Sequence, residues 1–133
     1  MRRGLALALV IAAAGMGCRG EQGPVGGDLS VRLVSPRNTD RGVGLLVTGR
    51  VLAASAPAGS SYRVFADTSD NGDTARVVIV APQGGSVAAG EIARLQVRDT
   101  RKYRDYAARV VALAAPTYEL SDTTGVSVTI AKP

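Results

Sequence analysis

From residue 29 onward, apolar and polar positions follow each other in short runs broken by turn residues, and the period is that of strands rather than helices. Residues 29–34 alternate, and 35–40 (Ser, Pro, Arg, Asn, Thr, Asp) break the run. A second run covers 43–51 and ends in the small-residue stretch 53–61. Further runs cover 62–66, 74–81, 91–97, 106–114, 118–120 and 126–130, the segment 74–81 being nearly continuous in apolar residues. Eight candidate strands at this spacing predict an all-β domain, a single β-sandwich of seven to nine strands with jelly-roll or immunoglobulin-like layering.

Two segments leave helix open. The Ala-rich 106–114 is a helix former on propensity, but Ala108, Val110, Ala112 and Ala114 alternate with Arg109, Val111 and Leu113. That pattern predicts an inner strand covered on both sides. Segment 84–98 is the other place for a short helix. With Phe65 the single Phe and no Trp, the interior must be filled by Val, Ile, Leu and Ala interdigitating between two sheets.

The chain before residue 29 carries a different pattern. Arg2 and Arg3 precede an uncharged stretch from Leu5 to Gly17 that is rich in Ala and Leu. It is too short for a bilayer-spanning helix, which needs about 20 apolar residues, and fits a secretory signal region of about 7–15. Cys18, the single Cys of the chain, stands where this stretch turns polar, after Gly15, Met16 and Gly17. The arrangement resembles the lipobox of bacterial lipoproteins, with Gly15 where that pattern usually has an aliphatic residue. The resemblance implies cleavage before Cys18, lipid attachment at Cys18, and a location in the cell envelope on a membrane, facing the periplasm or the exterior. The expected organisation is a signal peptide over 1–17, lipidated Cys18 and a Gly-rich flexible tether over 18–28, and the sandwich over 29–133. Net charge falls from +5 to +3 when Arg2 and Arg3 leave, too weak a basic balance for a nucleic-acid binder.

The run 42–49, the central strand 75–81, the loop 88–90 leading into 91–97, and the closing 118–130 resemble, in their order, the cohesin-like β-sandwich modules of bacterial extracellular proteins. That resemblance covers 29–131 and implies binding of a partner protein through an exposed sheet face.

Two stretches carry candidate chemistry. In 67–73, Asp67, Ser69, Asn71 and Asp73 put oxygens at alternating positions, and Gly72 falls where a calcium loop turns sharply. The position that should supply a bidentate Glu is Val78, and the flanks are strands, so this is not an EF-hand. The plainer reading is a hairpin with Asn71 and Gly72 at its tip. In 98–106, Arg98, Arg101, Lys102 and Arg104 interleave with Tyr103 and Tyr106, a pattern suited to anionic headgroups or acidic glycans. The plainer reading here is a solvated connection in which Asp99 and Asp105 offset half the charge.

Catalysis finds little support. The chain has no His, and no GxSxG or SxxK motif that would activate a hydroxyl nucleophile. The expectation is a non-enzymatic, membrane-anchored binding or assembly module of the cell envelope, recognising an envelope protein or a glycan. A carbohydrate- or calcium-binding module and a structural subunit of an envelope complex are the alternatives.

Overall fold

A computed structural model of the chain describes residues 23–133; Cys18 and the signal segment lie outside them. Among the described residues eight strands form two four-stranded antiparallel sheets, which makes the domain a β-sandwich. Sheet A has the order β3-β6-β1-β8, with β1 at Gly27–Val34, β3 at Ala53–Ser55, β6 at Gly90–Val97 and β8 at Ser127–Ala131. Sheet B has the order β4-β5-β2-β7, with β2 at Gly42–Thr48, β4 at Arg63–Thr68, β5 at Thr74–Val80 and β7 at Ala107–Ala114. A 3₁₀ helix, η1, spans Thr100–Asp105.

The alternation in sequence decides which side chains meet between the sheets. Leu29, Val31 and Leu33 of β1 and Ala93, Leu95 and Val97 of β6 point inward from sheet A. They meet Val43, Leu45 and Val47 of β2 and Ala75, Val77 and Ile79 of β5, all buried. The core is aliphatic throughout, as the composition requires, and Phe65 lies outside it with 58% of its surface exposed.

Several expectations are corrected. Residues 118–120 are not a strand: Leu120 makes a single bridge to Ala114 within a turn. The run 43–51 stops at Thr48, because Gly49 takes φ +121°, a conformation that side chains resist. Part of the small-residue stretch, Ala53–Ser55, pairs with β6 instead of forming a loop. Segment 84–98 supplies strand β6, and the short helix falls in the following basic stretch. The fold also reaches back beyond residue 29, since Gly27 already pairs with Val97.

Segment 106–114 is a strand, but it is the edge of sheet B rather than an inner strand covered on both faces. Its alternation is interrupted by a bulge. Leu45 pairs with Val110 and Gly44 with Ala112, which leaves Val111 as the extra residue. Upstream of the bulge, Ala108 and Val110 pack on the core, whereas beyond it Leu113 does so. Val111 and Ala112 therefore both turn outward, as two residues opposing one in a bulge do.

Candidate functional site

The outer face of sheet B carries the most distinctive surface of the domain. Pairing places side chains in rows across the four strands: Arg63, Val80, Gly42 and Ala114; then Phe65, Val78, Gly44 and Ala112; then Asp67, Arg76, Leu46 and Arg109. Because the central strand contributes Gly42 and Gly44, the middle of this face is recessed. A Cβ at Gly44 would lie 3.3 Å from the Cβ of Ala112, and one at Gly42 would lie 3.5 Å from that of Ala114.

The result is a trough along β2. Its first half, about 200 Å³, runs over Gly42 and Gly44 between Val78 and Val80 on one side and Ala112, Ala114, Tyr118 and Leu120 on the other, with Arg41 at its mouth. Its second half, about 370 Å³, shares Gly44, Val78 and Ala112 and ends at Leu46, Arg76 and Arg109. Phe65, Val111 and Val78 on its flanks are 58%, 48% and 42% exposed. Tyr118, held at φ +64° in the turn after β7, and Leu120 extend the apolar rim. Sequence reading missed this trough. Its signal was the pair of glycines at alternate positions in a strand, a mark of close approach or missing packing.

At one end of the sandwich the basic stretch 98–106 folds as η1. Asp99 caps it, accepting from the backbone N–H of Arg101 at 3.2 Å and from its guanidinium at 3.0 Å. The Arg101 guanidinium bonded to it holds the Asp99 carboxyl down at about 2. Arg101 also donates to the carbonyl of Gly23 at 3.0 Å, and the N–H of Thr100 donates to that of Val25 at 2.8 Å. The first described residues are thereby strapped to η1, so residues 23–28 of the tether expected over 18–28 belong to the fold.

The four predicted basic residues do not form one patch. Arg98 and Lys102 line a cleft of about 390 Å³ together with Arg50, Asp99, Asp105 and Tyr106. Arg101 is engaged by Asp99, and Arg104 donates to the hydroxyl of Tyr103 at 3.2 Å, which lowers the pKa of that phenol. Arg50 is the cation that sequence reading did not include. Tyr106 places it by donating its hydroxyl to the Arg50 carbonyl at 2.6 Å, while its ring lies where a Cβ on Gly49 would stand, 2.5 Å from Cδ1. Burial, then the nearby Asp105 and Asp99, push the Tyr106 phenol up.

The aspartate loop forms the β4–β5 hairpin turn. Gly72 takes φ +75° at its tip, and Oδ1 of Asn71 accepts from the Ser69 hydroxyl at 2.7 Å and from the N–H of Asp73 at 3.1 Å. Two of the four expected calcium ligands thus bond within the turn itself. The loop lies beside Arg50 and joins Gly49 through the Asp73 carbonyl at 2.7 Å. Among the described residues no group of three or more His, Cys, Asp or Glu side chains is placed to hold a metal ion, and no helix is long and apolar enough to cross a membrane.

The outer face of sheet A is polar. Ser30, almost fully buried, donates to the carboxylate of Glu91, which also accepts from Arg94 at 3.0 Å. The Ser30 hydroxyl bond, opposed by burial and reinforced by Arg94, lowers the Glu91 pKa. No protein-family model, no curated protein and no solved structure matches this chain.

Proposed function

We propose that the chain is an exported lipoprotein, anchored through Cys18, whose sandwich binds another protein of the cell envelope through the outer face of sheet B. The observation that carries this reading is the trough with its rim of exposed apolar side chains. An apolar surface continuous across four strands costs solubility when left to water and characteristically marks a partner site. The likeness to cohesin-like modules, read from the sequence, points the same way, since those modules bind proteins through a sheet face. The proposed role is non-enzymatic, in line with the chain's lack of His and of a nucleophile motif; the polar side chains lining the trough are those of arginines and Tyr118.

Two measurements test the two halves of the proposal. Mass spectrometry of the membrane fraction should find Cys18 at the amino terminus carrying acyl chains, and Cys18→Ala should release the protein from membranes. Affinity capture with the anchored chain should retain a specific envelope protein that Phe65→Asp combined with Val78→Asp loses. Capture unchanged by that pair would place the binding surface elsewhere.

A further inference from the structure

The charges around the trough specify what kind of protein segment it takes. Arg63 stands in the row at one end, and Arg76 and Arg109 stand at the other; Arg41, beside the first end, is taken by the Gly85 carbonyl. The strands of this face contribute one carboxylate, Asp67. Among the described residues Arg63, Arg76 and Arg109 form no ion pair, although the cations Arg37, Arg94 and Arg101 elsewhere each do. From Gly42 to Leu46 the apolar floor is roughly 14 Å long at about 3.4 Å per strand residue.

We infer that the trough binds an extended segment of a partner protein in which a few small or branched apolar residues lie between carboxylates on both sides. This rests on the protein-binding reading and narrows it to an acidic partner. Such a segment would lay its apolar side chains over Gly42 and Gly44 and set its carboxylates against Arg63 at one end and Arg76 and Arg109 at the other. A second copy of this chain does not fit, because stacking the two faces would set arginines against arginines. A small ligand does not fit either: enclosing sites bury most of their ligand in a cavity, and this trough is open along its length.

The test uses the chain from Cys18 onward with Cys18→Ser, whose core draws on residues between Leu29 and Val128, labelled with nitrogen-15. Two end-blocked heptapeptides are titrated, Asp-Asp-Val-Ala-Val-Asp-Asp and Lys-Lys-Val-Ala-Val-Lys-Lys. The acidic peptide should move the amide resonances of Gly42, Gly44, Val78 and Ala112 and bind at least about tenfold more tightly than the basic one, since charge juxtaposition across an interface discriminates partners strongly. In the double variant Arg76→Glu, Arg109→Glu the order of the two peptides should reverse. Equal affinities, a preference unchanged by the reversal, or no movement at those four residues would overturn the inference, as would displacement of the acidic peptide by phosphatidylglycerol vesicles. Capture of an envelope protein lost in the Phe65 and Val78 variant but indifferent to Arg76→Glu, Arg109→Glu would leave the protein-binding reading standing and remove the acidic partner.

Discussion

The two sheets share one core and present opposite surfaces to the outside. Sheet A turns out Asp28, Ser30, Arg32, Glu91, Arg94 and Gln96, with Val34 at the end of β1, and Ser30, Glu91 and Arg94 bonded into a network. Sheet B turns out Phe65, Val78, Val80, Leu46, Val111 and two glycines, bordered by Arg63 at one end and by Asp67, Arg76 and Arg109 at the other. The same sandwich architecture needs one covered face per sheet and leaves the other face free to vary. Sheet A uses that freedom for solubility, whereas sheet B retains apolar area that folding does not require.

That contrast can be broken in four ways. The largest effect belongs to what the sheets share: Leu95→Ala in sheet A and Ile79→Ala in sheet B should each cost about 2–5 kcal/mol in denaturant unfolding. A large cost in one sheet and none in the other would mean that the core is not common to both. Next is Gly49→Ala, which combines a positive φ with a collision against Tyr106 and should cost about 1–3 kcal/mol. Gly44→Ala has ordinary φ and meets the Ala112 Cβ at 3.3 Å, a contact that a few tenths of an ångström of movement in the edge strand β7 relieves, so its melting temperature should change less, while the trough narrows and peptide binding weakens.

The third test addresses acid. The folded pKa of Glu91 lies below its ordinary 4.5, so the unfolded chain binds more protons in acid. The stability this group contributes is present above pH 4.5 and is lost as pH falls through the folded value. Glu91→Gln should flatten that part of the stability–pH profile, and Ser30→Ala should weaken it; an unaltered profile in both would show that the network does not act on folding. The smallest effect is expected for Phe65→Ser, within about 0.5 kcal/mol of the parent because the ring is exposed, although it removes the largest apolar side chain of the sheet B face. A loss of several kcal/mol there would assign Phe65 to the core after all.

The sandwich was legible because alternation is local: in β1, and in β6 from Ala93 onward, each second residue is aliphatic, and burial follows it; Ile92, an extra residue at a bulge, is buried as well. The fate of β7 was not. An alternating Ala and Val run looks the same on an edge as in the middle of a sheet, and the bulge at Val111 depends on how Gly44 pairs across from it, which no spacing in one strand records. β3 was hidden because Ala53 to Ser55 becomes a strand by pairing with β6, far along the chain. The trough was illegible for a related reason. Gly42 and Gly44 have meaning only beside Val78 and Ala112, brought together by register. The basic stretch was read as one unit, yet its cations divide according to their neighbours, with Asp99 taking Arg101 and Tyr103 taking Arg104.

The strapping of residues 23–25 to η1 has a mechanical consequence. Tension on the amino-terminal segment meets the bonds from η1 to Gly23 and Val25 first and then passes into β1, which lies inside sheet A with β6 on one side and β8 on the other. Antiparallel hydrogen bonds run perpendicular to their strands, so a pull along β1 shears both ladders together instead of peeling one bond at a time. A domain pulled by that end should therefore keep its shape at forces that would peel a hairpin open.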